Sequence, residues 1–177
     1  SHDYFDPRFK KVIYMVRDPR DVLTSLYFYL TSLGTIKKNY SKSQFVKRFL
    51  EGEFDANFGS WNENVGSWIN INDKNKIIII KYEDLKKNSY KEINKICKFL
   101  KVKKSKKKIS EAIKKSSFEK LRKMENVDLG FTKYFSDINP GFFRKGKIGD
   151  WKNFLSKKES NKIRKLWKTN MKYLGYY

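Results

Sequence analysis

Cysteine is almost absent from this chain: Cys97 is the only one in 177 residues. A single thiol excludes an internal disulfide and any multi-cysteine metal site, and it suits a reducing compartment such as the cytoplasm. Cys97 lies in an apolar helical pattern and reads as a core residue. Histidine is equally scarce, with His2 alone. No apolar run approaches the roughly 20 residues that a membrane-crossing helix needs, and the polar, aromatic N-terminus has no signal-peptide pattern. The chain opens on Ser1 rather than Met, so the expected start of the protein lies upstream.

Acid is short too, with 19 Asp and Glu against 41 Lys and Arg, a net charge of +22. Such an excess invites a nucleic-acid reading. Yet the only arginines are Arg8, Arg17, Arg20, Arg48, Arg122, Arg144 and Arg164. Lysine is the solvated point charge, whereas arginine makes planar, bidentate contacts. Most of this charge is therefore read as solvated surface, with weak non-specific affinity for polyanions, no specific nucleic-acid partner and no nucleic-acid motif. What the chain does have is 39% hydrophobic and 16% aromatic residues, enough for one domain with a core over residues 1–177.

Lys11–Val16 is a short β-branched and aromatic run that predicts a buried strand. Asp18 is placed to cap the next helix, with Pro19 at its first position and Val22, Leu23, Leu26, Tyr27 and Leu30 as its apolar stripe. Ser41 and Gln44 have capping-box spacing, as do Ser116 and Glu119, and Ser156 and Glu159. Trp61, Val65 and Trp68 predict a helix, and the isoleucine run Ile77–Ile80 predicts a central strand. Ile93, Ile96, Cys97 and Leu100 mark an amphipathic helix; Lys106–Lys115 predicts another. Residues 126–141 read as a loop, and Ile163, Leu166, Trp167, Met171 and Leu174 as the stripe of one final helix. Strands alternating with helices predict an α/β class with a parallel sheet. Two clear strands do not make a sheet that stands alone, so the chain is expected to be N-terminally truncated.

Two segments carry the functional signal. Arg17 ends the first predicted strand, where open α/β sheets place their ligands, and the following helix N-terminus offers free N–H groups to an anion. A phosphate there would take bonds from Arg17 and from Ser25, two turns along. The same arginine could instead pair with Asp18, Asp21 or Asp84. Further on, Arg144, Lys145 and Gly146 form a basic loop in which glycine permits positive φ and close backbone approach. Gly149–Asp150–Trp151 would anchor that loop by burying the indole. An ordinary basic surface loop is the alternative.

Together these segments resemble the sulfotransferases that use 3′-phosphoadenosine 5′-phosphosulfate (PAPS). Val12–Ser25 matches the family's apolar strand, Arg-Asp/Asn-Pro-x-Asp-Val turn, and Ser eight residues after the Arg. Phe143–Trp151 matches its Arg-Lys-Gly-x-x-Gly-Asp-Trp motif. Gly59–Trp68, Ile77–Leu85 and Ser116–Ser117–Phe118 resemble its intervening segments, in order. The resemblance implies an α/β, P-loop-NTPase-like three-layer fold, incomplete here, with a short parallel sheet flanked by many helices. It implies an enzyme that moves a sulfuryl group from PAPS, without a metal, to a hydroxyl or amine of a small molecule or glycan.

By the same resemblance Arg17 and Ser25 bind the 3′-phosphate of PAPS, and Arg144, Lys145 and Gly146 hold it from the other side. Tyr82, Ser116 and Phe118 surround the adenine and ribose. His2, at the end of a Lys-Thr/Ser-His-like segment, is the general base. The family's 5′-phosphosulfate loop has no counterpart in these residues, so the chain as given is expected to hold half the donor site and to be nearly inactive alone. Two other readings are a nucleotide-binding relative without catalysis and a basic nucleic-acid-binding module. The family's Lys-x-x-x-Thr-Val dimer motif has no match after Trp151, which leaves the oligomeric state open.

Overall fold

The structure is a computed structural model that describes residues 8–54, 59–71, 73–125 and 143–177. His2 and the whole of the expected loop at 126–141 lie outside the described residues. Strand β1 (Val12–Val16) leads into helix α1 (Pro19–Ser32), then α2 (Lys42–Leu50) and α3 (Trp61–Ile69). Strand β2 (Ile77–Lys81) runs directly into α4 (Tyr82–Lys87), followed by α5 (Ser89–Phe99), α6 (Lys106–Lys115) and α7 (Phe118–Glu125). A short 3₁₀ helix (Asp150–Asn153) precedes α8 (Lys157–Leu166) and α9 (Lys168–Tyr173).

The two strands pair in parallel, Val12 opposite Ile77 and Val16 opposite Lys81. That register puts Arg17 and Tyr82, each one residue past its strand, side by side at the C-terminal edge of the sheet. Helices α1, α2, α8 and α9 bring Leu23, Tyr27, Phe45, Val46, Ile163, Trp167 and Met171 into one core with Val16. Asp18 caps α1 as expected, its carboxylate accepting from the Arg20 N–H, with Pro19 at the first position. At α3 the helical spacing of Trp61, Val65 and Trp68 is joined by a full Ser60–Glu63 capping box, a Ser-x-x-Glu signal that the sequence reading passed over.

Four expectations are corrected. First, β1 is not buried along its length: Ile13 is 42% and Met15 52% exposed, while Val16 is buried. Strand side chains alternate, and the described helices cover the Val16 face. Second, Cys97 is half-buried rather than core, and Glu92 is the buried residue of α5. Third, Ser116 does not open α7. It closes α6, its hydroxyl donating to the Ala112 carbonyl at 2.9 Å, and Ser117 Oγ accepts from the Lys120 N–H instead. Fourth, the final helix breaks at Trp167 (φ −107°, ψ 28°). There the indole stacks on Trp61, with ring centroids 5.5 Å apart. Leu166, read as part of the stripe, points outward at 58% exposure.

Candidate anion-binding site

Beyond the sheet edge, backbone and side chains converge from four directions. The Arg17 guanidinium lies over the Tyr82 ring, 4.5 Å from its centroid. Its NH2 donates to the Lys147 carbonyl at 2.9 Å and stands 3.8 Å from Asp21 Oδ2. The Nε of Arg17 is buried and has no hydrogen-bond partner among the described residues. A buried donor left unpaired is costly, so it is suited to an anion. Of the three acidic partners considered for Arg17, Asp21 is the near one. Asp18 is gripped by Arg20, at 2.9 Å through Nε and 2.6 Å through NH2.

Tyr82 opens α4 and its hydroxyl reaches the Gly146 carbonyl at 3.4 Å. Burial pushes its phenol above the ordinary value, and the Asp21 and Glu83 carboxylates add to the rise against the lowering by Arg17. Gly146 adopts φ +58°, the left-handed region that glycine enters without strain. Phe118 stands over it and makes an edge contact with Phe143, centroids 6.1 Å apart. Arg144 donates to Asp150 Oδ2 at 2.6 Å, Lys145 Nζ lies 3.2 Å from Oδ1, and the Arg144 guanidinium rests over Phe28. Burial would raise the Asp150 pKa, but the hydrogen bonds and charges of Arg144 and Lys145 outweigh it and hold the carboxyl below its ordinary value.

Arg17, Ser25, Tyr82, Ser116, Phe118, Arg144, Lys145 and Gly146 all line one cavity of about 680 Å³. Lys86 and Lys147 line it too, adding positive charge that the sequence reading did not single out. The described residues hold no cluster of His, Cys, Asp and Glu that could bind a metal ion.

Among the described residues no helix is long and apolar enough to cross a membrane. The expected burial of Trp151 is partial, and its ring carries the Arg20 guanidinium at 4.0 Å from the centroid. A second cavity of about 470 Å³ shares Met15, Val22 and Leu26 with the first and is lined also by Tyr14, Phe54, Trp61 and Trp68.

A family profile described as Sulfotransferase domain matches residues 4–175. The chain belongs to the sulfotransferase family. It is 34% identical over 165 residues to the 3-alpha-hydroxysteroid sulfotransferase of Cavia porcellus and 35% identical over 164 residues to Sulfotransferase 2A1 of Rattus norvegicus. Each alignment takes in 91% of this chain and 56% of the relative, so the chain spans a little over half the length of the curated sulfotransferases it matches.

Among solved structures, retinol dehydratase in a complex with retinol and PAP aligns with a TM-score of 0.78 at 27% identity, over 92% of this chain and 48% of that one. Mouse sulfotransferase SULT7A1 complexed with PAP aligns at 0.74 and 26%, over 92% and 58%. The P-loop-NTPase-like α/β architecture expected of a sulfotransferase is therefore the one observed, with its short parallel sheet flanked by helices.

Proposed function

We propose that this sulfotransferase-family chain binds PAPS through its 3′-phosphate and nucleoside, and that the protein it belongs to transfers a sulfuryl group to a hydroxyl or amine. The observation that carries the reading is the gathering of both arginine motifs on one cavity, where the buried Arg17 Nε has no hydrogen-bond partner among the described residues. The complexes of the structural relatives with PAP, the desulfated product of PAPS, support it.

The residues fit the donor. Arg17 Nε, just past β1, and Ser25 Oγ, on α1, would bind the 3′-phosphate from one side. Arg144, Lys145 and the Gly146 backbone would bind it from the opposite loop, with Arg144 and Lys145 exchanging Asp150 for the ligand. Phe118, Tyr82 and Ser116 would flank adenine and ribose, the aromatic faces excluding water. PAPS, when bound, supplies the sulfuryl group that passes to the acceptor oxygen or nitrogen as the bond to the 5′-phosphate breaks. His2, on the motif alone, would take the acceptor proton at an imidazole nitrogen, histidine being the side chain whose ordinary chemistry suits proton transfer near neutral pH.

The names of the relatives favour a small-molecule alcohol of hydroxysteroid kind as acceptor, and the second, apolar cavity shares the wall of Met15, Val22 and Leu26 with the first. A cytoplasmic location fits the free Cys97. The lysine-rich charge is solvated surface, with no specific nucleic-acid role.

Calorimetric titration of PAP into this chain and its Arg144→Ala variant tests the reading. Saturable binding that the substitution abolishes is expected. Absence of binding to the unsubstituted chain, or binding indifferent to Arg144, would overturn it. In the whole protein, His2→Ala should remove turnover and keep PAP affinity.

A further inference from the structure

Asp21 is the carboxylate that the donor-binding roles leave unexplained. It is 2% exposed, stands on α1, and holds the far loop rather than its own helix. Its Oδ2 accepts from the Gly149 N–H at 2.7 Å and its Oδ1 from the Trp151 N–H at 3.0 Å. The 3₁₀ helix at Asp150–Asn153 has no side-chain cap from its own N-terminal residue, Gly149. Asp21 caps it from 128 and 130 positions away. The same Oδ2 stands 3.8 Å from Arg17, whose NH2 holds the Lys147 carbonyl at 2.9 Å. A buried negative charge beside a phosphate cavity opposes the ligand electrostatically. Its presence there is accounted for by what it fixes: the distance between the Arg17 grip and the Arg144–Lys145–Gly146 grip.

We propose that Asp21 is a positioning residue that clamps the 143–151 loop to α1 and so sets the site's selectivity for a 3′-phosphate. This rests on the donor-binding reading above. A displaced loop would take Arg144 and Lys145 from the 3′-phosphate, while contacts to the nucleoside from Tyr82 would survive. A clamp that forms with the ligand must, by linkage, also be strengthened by it.

The test uses this chain with PAP and with adenosine 5′-phosphate, which lacks only the 3′-phosphate. In Asp21→Asn one acceptor oxygen and the charge are lost. Its PAP affinity should fall about tenfold or more, equal to about 1.4 kcal/mol, with adenosine 5′-phosphate affinity within about twofold. Amide exchange at Gly149 and Trp151 should accelerate by a similar factor. In the unsubstituted chain, PAP should slow exchange at those two amides and adenosine 5′-phosphate should not, a result that needs no variant to fold. Equal losses for the two nucleotides, unchanged PAP affinity, or amides that stay protected in Asp21→Asn would overturn the clamp. So would equal slowing of those amides by both nucleotides. An unsubstituted chain that binds PAP no better than adenosine 5′-phosphate would overturn instead the donor-binding reading, and the clamp's role with it.

Discussion

Gly146 sits against the ring of Phe118 so closely that a Cβ on residue 146 would stand 2.7 Å from Phe118 Cδ2 and Cε2. The contact joins the basic loop to the start of α7 and closes one wall of the anion cavity. It explains the glycine twice over, since the backbone there also has φ +58°.

Gly146→Ala should therefore weaken PAP binding and destabilise the fold by about 1–3 kcal/mol, from the left-handed backbone and the ring contact together. Adding Phe118→Ala should relieve only the contact. A double-mutant cycle by denaturant unfolding should give a coupling larger than about 0.5 kcal/mol. Strict additivity would show that the ring does not press on residue 146.

Arg17→Lys keeps the charge but loses the fork. The ammonium cannot hold the Lys147 carbonyl at 2.9 Å and at the same time present a second donor at the position of Nε. PAP affinity should drop about tenfold or more, in line with about 1.5–3 kcal/mol for a charge-assisted hydrogen bond. Calorimetry at low and moderate salt would check it.

Tyr176→Phe probes the C-terminal anchor. Tyr176 donates its hydroxyl to Glu83 Oε2 at 2.6 Å, and Glu83 Oε1 accepts from the Asp18 N–H at 3.0 Å. Removing the hydroxyl leaves a buried carboxylate short of a partner, which should cost about 1–3 kcal/mol. Urea unfolding measures this. A midpoint unchanged from the parent chain would rule out the anchor.

Alkaline pH should destabilise the fold. Burial, then the Glu83 hydrogen bond and charge, raise the Tyr176 phenol; burial alone raises Tyr14, and burial leads the rise at Tyr82. A raised folded pKa means stability that is full below the unfolded value, about 10, and lost as pH climbs beyond it. Ultraviolet titration of tyrosinate should show Tyr14 and Tyr176 ionising only with unfolding, and Tyr82 ionising later than the exposed phenols. At the acid end, Asp150 is held below its ordinary range. Its pairing with Arg144 and Lys145 should persist through the usual carboxylate range and fail only as pH falls through the lowered value.

The local elements were legible because their signals are short-range. Asp18, Ser41 and Ser156 each cap the helix that follows, and Ile77–Ile80 form β2. These depend on hydrogen bonds two or three residues apart and on side-chain period. At Ser116 the same signal misled by one residue. Both Ser116 and Ser117 could cap α7, and the close of α6 claimed the first hydroxyl.

By itself, the sequence determined both strands and most of the helices, though not the short α4 at Tyr82–Lys87, together with the excess of lysine and the two arginine motifs whose chemistry suits an anion. Only the tertiary structure decided that these motifs face each other. Parallel pairing of β1 and β2 sets Arg17 beside Tyr82, and Asp21 draws the loop of Arg144 onto α1. It also decided that Trp167 breaks the last helix and that Ile13 and Met15 face outward. The reason is physical: helix caps and periodicity act over a few residues, whereas a carboxylate finds its partners 128 and 130 positions away only after the core has packed.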